Sequence, residues 1–119
     1  MITKYTYDVD VVSVYDGDTI RVNIDLGFGH QWRGYDGKGV KIRLWAINTP
    51  ELRGESREDG LKSKQALIDL LEGKRVVLKT IKDRTGKYGR YLGILYVLDN
   101  EEWKNVNETL VKEGYAVKY

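Results

Sequence analysis

Apolar and polar residues alternate strictly from Ile20 to Asp25, with Ile20, Val22 and Ile24 on one side and Arg21, Asn23 and Asp25 on the other. A period of two marks a strand with one buried face. The same alternation returns where Val40, Ile42, Leu44 and Ala46 face away from Lys41, Arg43, Trp45 and Ile47, which predicts a strand over 40–47. Val9–Tyr15, Arg75–Lys82 and Tyr91–Leu98 are β-rich and predict three more. Asp16-Gly17 is a tight-turn signal between the first two strands. Gly27–Gly39 and Asp83–Arg90 are polar and read as loops. Thr49-Pro50 ends the third strand, because proline lacks a backbone donor and restricts the residue before it.

Two stretches have helical spacing instead. Ser56 with Asp59 three residues on predicts a capping box, followed by an apolar face of Leu61, Leu67, Ile68 and Leu71 and a stop at Gly73. Asn105–Glu113 predicts a short second helix through Val106, Leu110 and Val111, stopped at Gly114. Five strands with a helix between the third and fourth predict a mainly β, α+β protein: a closed antiparallel five-stranded barrel of the OB type. At 119 residues the whole of 1–119 reads as a single domain, large enough to bury its own core.

Composition narrows the chemistry. There is no cysteine and His30 is the one histidine, so thiolate and histidine-rich metal sites are excluded, along with a cysteine nucleophile. Oxygen donors remain. A net charge of +2 permits a polyanionic partner without requiring one. No apolar run reaches the length of a membrane span, and Met1–Asp10 lacks the layout of a signal peptide. The expectation is an intracellular or phage-borne monomer without membrane contact, secreted only if a leader has been removed.

Three polar clusters sit at breaks in the apolar pattern: Asp16-Gly17-Asp18-Thr19, Arg43 with Asn48-Thr49-Pro50-Glu51, and Lys87-Tyr88-Gly89-Arg90. Singly, each reads as an ordinary turn, a solvated strand arginine or a basic loop. Together they supply carboxylate and amide oxygens for a hard cation and two arginines able to grip a phosphate bidentately. In this order, the clusters resemble the staphylococcal nuclease family, whose pattern runs D-G-D-T, then R-x-x-x-x-D-T-P-E, then K-Y-G-R. Val106-Asn107-Glu108 with Leu110-Val111 is also similar to the family's segment after the barrel.

The resemblance implies a Ca²⁺-dependent nuclease that hydrolyses DNA and RNA with little sequence specificity and leaves 3′-phosphates, preferring single-stranded or frayed substrate. By the same resemblance, Asp18 is a metal ligand, Thr49 offers its carbonyl, Glu51 is the general base, Arg43 and Arg90 clamp the phosphate, and Lys87 and Tyr88 contact the nucleotide. There are two departures. Asn48 stands where the family carries a second aspartate ligand, so it would coordinate through an uncharged amide oxygen. The family's base-flanking tyrosines have no clear match, and Tyr115 and Tyr119 are the candidates. The alternative reading is a non-catalytic OB barrel of the same family that binds nucleic acid or protein. His30 reads as a solvated loop residue and Trp45 as a packing residue.

Overall fold

The computed structural model of the chain describes residues 5–85 and 91–119, and of residues 82–85 the backbone alone. Five strands close into a ring: β1 (Thr6–Asp16), β2 (Thr19–Gly27), β4 (Val40–Leu44), β6 (Val76–Thr85) and β7 (Tyr91–Asp99). Each pairs with two others in the order β1-β2-β4-β7-β6 and back to β1. This is the expected OB-type arrangement, with one correction. The pairing of β4 with β7 is parallel, Ile42 opposite Tyr91, so the barrel is not antiparallel throughout. The long helix between the two halves makes the parallel closure possible, since parallel neighbours need a crossover connection.

The alternation predicted for the strands holds inside the ring. Ile20, Val22, Ile42, Leu44, Leu78, Leu95 and Val97 are buried in one core, while Arg21, Lys41 and Arg43 lie on the outer side. Glycine-rich 27–39 is not all loop, because β3 (His30–Trp32) pairs back on β2. Nor does the third strand run on to Ile47. It breaks at Trp45-Ala46, where Ala46 takes a left-handed φ of 63°. Such a backbone costs about 1–2 kcal/mol and persists because its neighbours are tied down: Trp45 N–H donates to Gly93 O (2.7 Å) and Trp45 O accepts from Asn107 Nδ2 (3.0 Å). The buried Asn107 also accepts from Leu95 N–H (3.2 Å) and donates to Gly93 O (3.2 Å). After the break, β5 (Ile47–Asn48) pairs with β9 (Val117–Lys118), and β8 (Glu102–Asn105) extends the edge of β7.

A single turn, Gly54–Ser56, leads into α1 (Arg57–Leu71). The capping box does not form. Ser56 Oγ donates to Glu51 O (3.1 Å) and Arg53 O (3.0 Å) instead of capping the helix, because the loop before the helix turns back on itself there. The buried stripe of α1 is Gly60, Ser63, Leu67 and Leu71, and Leu61, expected to face the core, is 45% exposed. The small residues of this stripe let three segments approach closely. A Cβ on Gly60 would stand 2.5 Å from Glu51 O, and one on Gly17 would stand 2.8 Å from Ser63 Cβ. Ser63 Oγ donates to Tyr115 O (2.7 Å). Gly73 ends α1 with a positive φ, as expected. The second helix, α2 (Val106–Lys112), is capped by Asn105, whose side chain accepts from Glu108 N–H (3.0 Å).

Candidate active site

Asp16 and Thr19 are the paired ends of β1 and β2, and Gly17-Asp18 forms the turn between them. Gly17 has no left-handed φ to require glycine. The constraint is space, since a side chain would collide with Ser63 and with Thr49 Cγ2 at 2.9 Å. The turn is thereby pressed between α1 and the Asn48–Thr49 segment. Leu44 N–H donates to Asp18 O (2.8 Å), which ties the end of β4 to the same place.

The Asp18 side chain is 8% exposed, and a carboxylate so buried needs partners. Its Oδ2 forms an ion pair with Arg43 Nη1 and accepts a hydrogen bond from Thr49 N–H, each at 3.0 Å, and its Oδ1 accepts from the Thr19 hydroxyl at 3.3 Å. The other arm of Arg43, Nη2, donates to Asn48 Oδ1 at 2.9 Å, and Nη1 also reaches Leu44 O at 3.2 Å. One guanidinium therefore spans the two side-chain oxygens expected to hold a metal. Four of the expected residues (Asp18, Arg43, Asn48 and Thr49) fall into one network of hydrogen bonds and an ion pair drawn from three separate stretches of chain.

Asp16 belongs to this group as well, although sequence reasoning passed it over. Asp18 N–H donates to Asp16 Oδ1 (3.1 Å). Burial foremost, then its hydrogen bond with Asp18 and the repulsion between the two, pushes the Asp16 carboxyl up to about 6. The signal was the D-x-D spacing itself, read as turn chemistry.

The residues suit a hard cation. Asp16, Asp18 and Asn48 offer side-chain oxygens only, and Thr49 Oγ1 is buried with no hydrogen-bond partner among the described residues. Among the described residues no three His, Cys, Asp or Glu side chains gather round one point. Any cation site is therefore completed by amide, hydroxyl or backbone oxygens, which oxygen-seeking cations accept. Such a cation would share Asp18 Oδ2 and Asn48 Oδ1 with Arg43.

Glu51 lies outside the network. Its side chain is 73% exposed, 3.4 Å from Arg53 Nε, while its backbone packs on Gly60. The two tyrosines separate. Tyr115 is held by its carbonyl to α1, whereas Tyr119 N–H donates to Ala46 O (3.0 Å) and its side chain lines a cleft of about 470 Å³ with Trp45 and Val111. Asn48 pairs with Val117, so the C-terminal segment runs beside the network. Lys87, Tyr88 and Arg90 lie outside the described residues. His30 is exposed on β3, as a solvated histidine should be.

Residues 41–119 match the family described as staphylococcal nuclease homologue. The chain belongs to the staphylococcal nuclease family. Two relatives extend the likeness. An uncharacterized protein of Methanocaldococcus jannaschii, MJ1439, is 30% identical over 138 residues, covering 98% of this chain and 61% of that protein. A probable endonuclease of Komagataella phaffii, LCL3, is 26% identical over 125 residues, covering 92% of this chain and 54% of that one. The chain thus spans between half and two thirds of the length of these relatives. At the level of the staphylococcal nuclease family, the matches support a nuclease-type function. The D-G-D-T turn precedes the matched residues, yet it is hydrogen-bonded into them through Asp18. Among the described residues no helix is long and apolar enough to cross a membrane.

Proposed function

We propose that this chain is a calcium-dependent nuclease that hydrolyses phosphodiester bonds of DNA and RNA with little sequence specificity and leaves 3′-phosphate ends. The observation that carries the reading is the Arg43 fork. Its two arms rest on Asp18 Oδ2 and Asn48 Oδ1 at 3.0 and 2.9 Å, on the outer barrel wall, where a planar pair of donors matches two phosphate oxygens. Arg90, by its place in the K-Y-G-R motif, supplies the second clamp. A calcium ion held by Asp18, Asn48 and Thr49, with Asp16 beside them, would polarise the phosphorus as a Lewis acid. Glu51 takes the proton of the attacking water. Its exposed contact with Arg53 is of a kind worth little, so the carboxylate is available. The water oxygen bonds to phosphorus, the bond to the 5′ oxygen breaks, and that oxygen is protonated from solvent. Arg43 and Arg90 stabilise the charge that builds on the equatorial oxygens. A preference for single-stranded or frayed ends belongs to the same reading and would follow if a substrate base must leave its duplex to stack in an open pocket.

Cleavage of fluorescent DNA and RNA oligonucleotides in Ca²⁺, Mg²⁺, Mn²⁺ and chelator tests this directly. Calcium-dependent cleavage that EGTA reverses is the expected result, and equal rates with and without chelator would overturn it. A second reading, a non-catalytic OB module that binds nucleic acid or protein, is favoured by two features: both Nη atoms of Arg43 already rest on protein oxygens, and Glu51 faces solvent. Binding without cleavage in every metal would select that reading.

A further inference from the structure

The connection between β2 and β4 is long, and it is built rather than loose. Ile24 pairs with Trp32, Gly39 N–H donates to Arg33 O (2.7 Å), and Asp36 Oδ1 accepts from Lys38 N–H (2.9 Å). Arg21 Nη1 reaches both Asp36 Oδ2 (3.2 Å) and Gly39 O (3.1 Å). Held on this frame, Tyr35 is 91% exposed, an unusual position for an anchored aromatic ring. Its hydroxyl meets that of Tyr91 at 3.4 Å. The ring of Trp32 stands edge-on to both tyrosines, with centroids 5.5 and 5.9 Å away. The three rings rim an open cleft of about 250 Å³ that also includes Arg21 and Lys41.

This cleft adjoins the candidate active site. Arg21 pairs with Lys41, and Thr19 pairs with Arg43, so the basic wall of the cleft lies two residues along the strands from Arg43, about 7 Å at the rise of a β-strand. Tyr91 directly follows the K-Y-G-R segment in sequence. A second groove, of about 610 Å³, shares Arg21 and Lys41 with the aromatic cleft and continues past Thr19 to Leu52 and Lys64. Asp36 balances the charge of Arg21, which leaves Lys41 and Lys64 as the excess positive charge along the path.

We propose that Trp32, Tyr35 and Tyr91 form a stacking subsite for a nucleobase of the substrate strand, neighbouring the nucleotide whose phosphate Arg43 grips. This rests on the nuclease reading of the same wall. Aromatic rings beside a basic track take bases in succession without regard to sequence, since every base has a π-face, and each stack is worth about 5- to 150-fold in affinity. The subsite accounts for a preference for single strands: a paired base has no free face to offer Tyr35. It also gives the long β2–β4 connection a role in substrate length rather than in chemistry.

The test is binding of single-stranded thymidine oligonucleotides of one to six residues, followed by fluorescence anisotropy in EDTA so that nothing is cut. It compares wild type, Tyr35→Phe and Tyr35→Ala. Tyr35 is exposed, so both variants should fold. Tyr35→Ala should weaken binding of the longer oligonucleotides about 5- to 30-fold, within the range for one lost stack, and leave a nucleoside 3′,5′-bisphosphate unaffected, while Tyr35→Phe keeps most of the affinity. Replacing one base of a trinucleotide with an abasic unit at the neighbouring position should erase the difference between wild type and Tyr35→Ala. If wild type binds the oligonucleotides and Tyr35→Ala binds them equally, the subsite is wrong and the nuclease reading stands. If the bisphosphate loses as much affinity as the hexanucleotide, Tyr35 belongs to the primary site and the proposal fails. If wild type binds neither ligand and cuts no oligonucleotide in calcium, both readings fall together.

Discussion

Gly60→Ala should damage catalysis from a position that touches no substrate. Gly60 lies in the first turn of α1, and an added methyl would meet Glu51 O at 2.5 Å, Glu51 C at 2.9 Å and Pro50 O at 2.9 Å. These are backbone atoms and cannot swing aside like a side-chain tip. Ordinary contact distances are 3.5–4.0 Å between carbons, so the Pro50–Glu51 segment or the helix must shift by roughly 1 Å. Overpacking of this kind costs about 1–3 kcal/mol, and alanine's better helix propensity returns about 1 kcal/mol. The net loss of stability should therefore be at most about 2 kcal/mol. The catalytic effect should be larger. A displacement of about 1 Å in a positioned group can cost about 10²-fold in rate, and the group displaced here is the backbone that carries Glu51. Urea melts should be paired with kcat on a fluorescent oligonucleotide in calcium. A small loss in the melt with a fall of tens- to a hundredfold in kcat is expected. A variant about 1 kcal/mol more stable than wild type with unchanged kcat would refute the reasoning, because it would mean that Gly60 carries no close contact with the Glu51 segment.

Three further outcomes follow from the same network. Arg43→Lys keeps the charge but loses the fork that spans Asp18 and Asn48, so kcat should fall about 10²–10⁴-fold with the fold intact by circular dichroism; near-normal turnover would exclude Arg43 from the clamp. Asn48→Asp adds a charged oxygen beside Asp18 and should tighten calcium in the free protein by about one decade, or about 1.4 kcal/mol; calorimetry giving equal affinities would remove residue 48 from the ligand set. Asp16, with its carboxyl raised to about 6 from an ordinary 3.8, binds its proton more tightly folded than unfolded, so in EDTA the protein should lose stability as pH rises from about 4 to about 6 and stay at that penalty above. The full shift corresponds to at most about 3 kcal/mol, reduced by solvent around a half-buried group, and Asp16→Asn should flatten this segment of the stability curve measured by urea titration; an unchanged slope would refute the assignment.

The sequence by itself determined the barrel strands, both helices and the family, because each rests on local information. Alternation with period two places Ile20, Val22 and Ile24 inside wherever the strand lies, and the D-G-D-T and N-T-P-E motifs are contiguous in the chain. Tertiary structure decided what those residues do for one another. Nothing local says that β4 pairs parallel with β7, that Ala46 must take a left-handed turn because Asn107 and Gly93 hold its neighbour Trp45, or that Ser56 serves the preceding loop instead of the helix. Gly17 reads in sequence as a turn former, but its requirement is the close approach of Ser63, 46 positions away in the chain. Likewise the D-x-D pair reads as turn chemistry, and its mutual repulsion arises only once burial removes the water between Asp16 and Asp18. The aromatic cleft was illegible for the same reason: Trp32, Tyr35 and Tyr91 meet only because closing the ring brings the start of β7 against the middle of β4, Tyr91 opposite Ile42, and that contact is a property of the whole barrel.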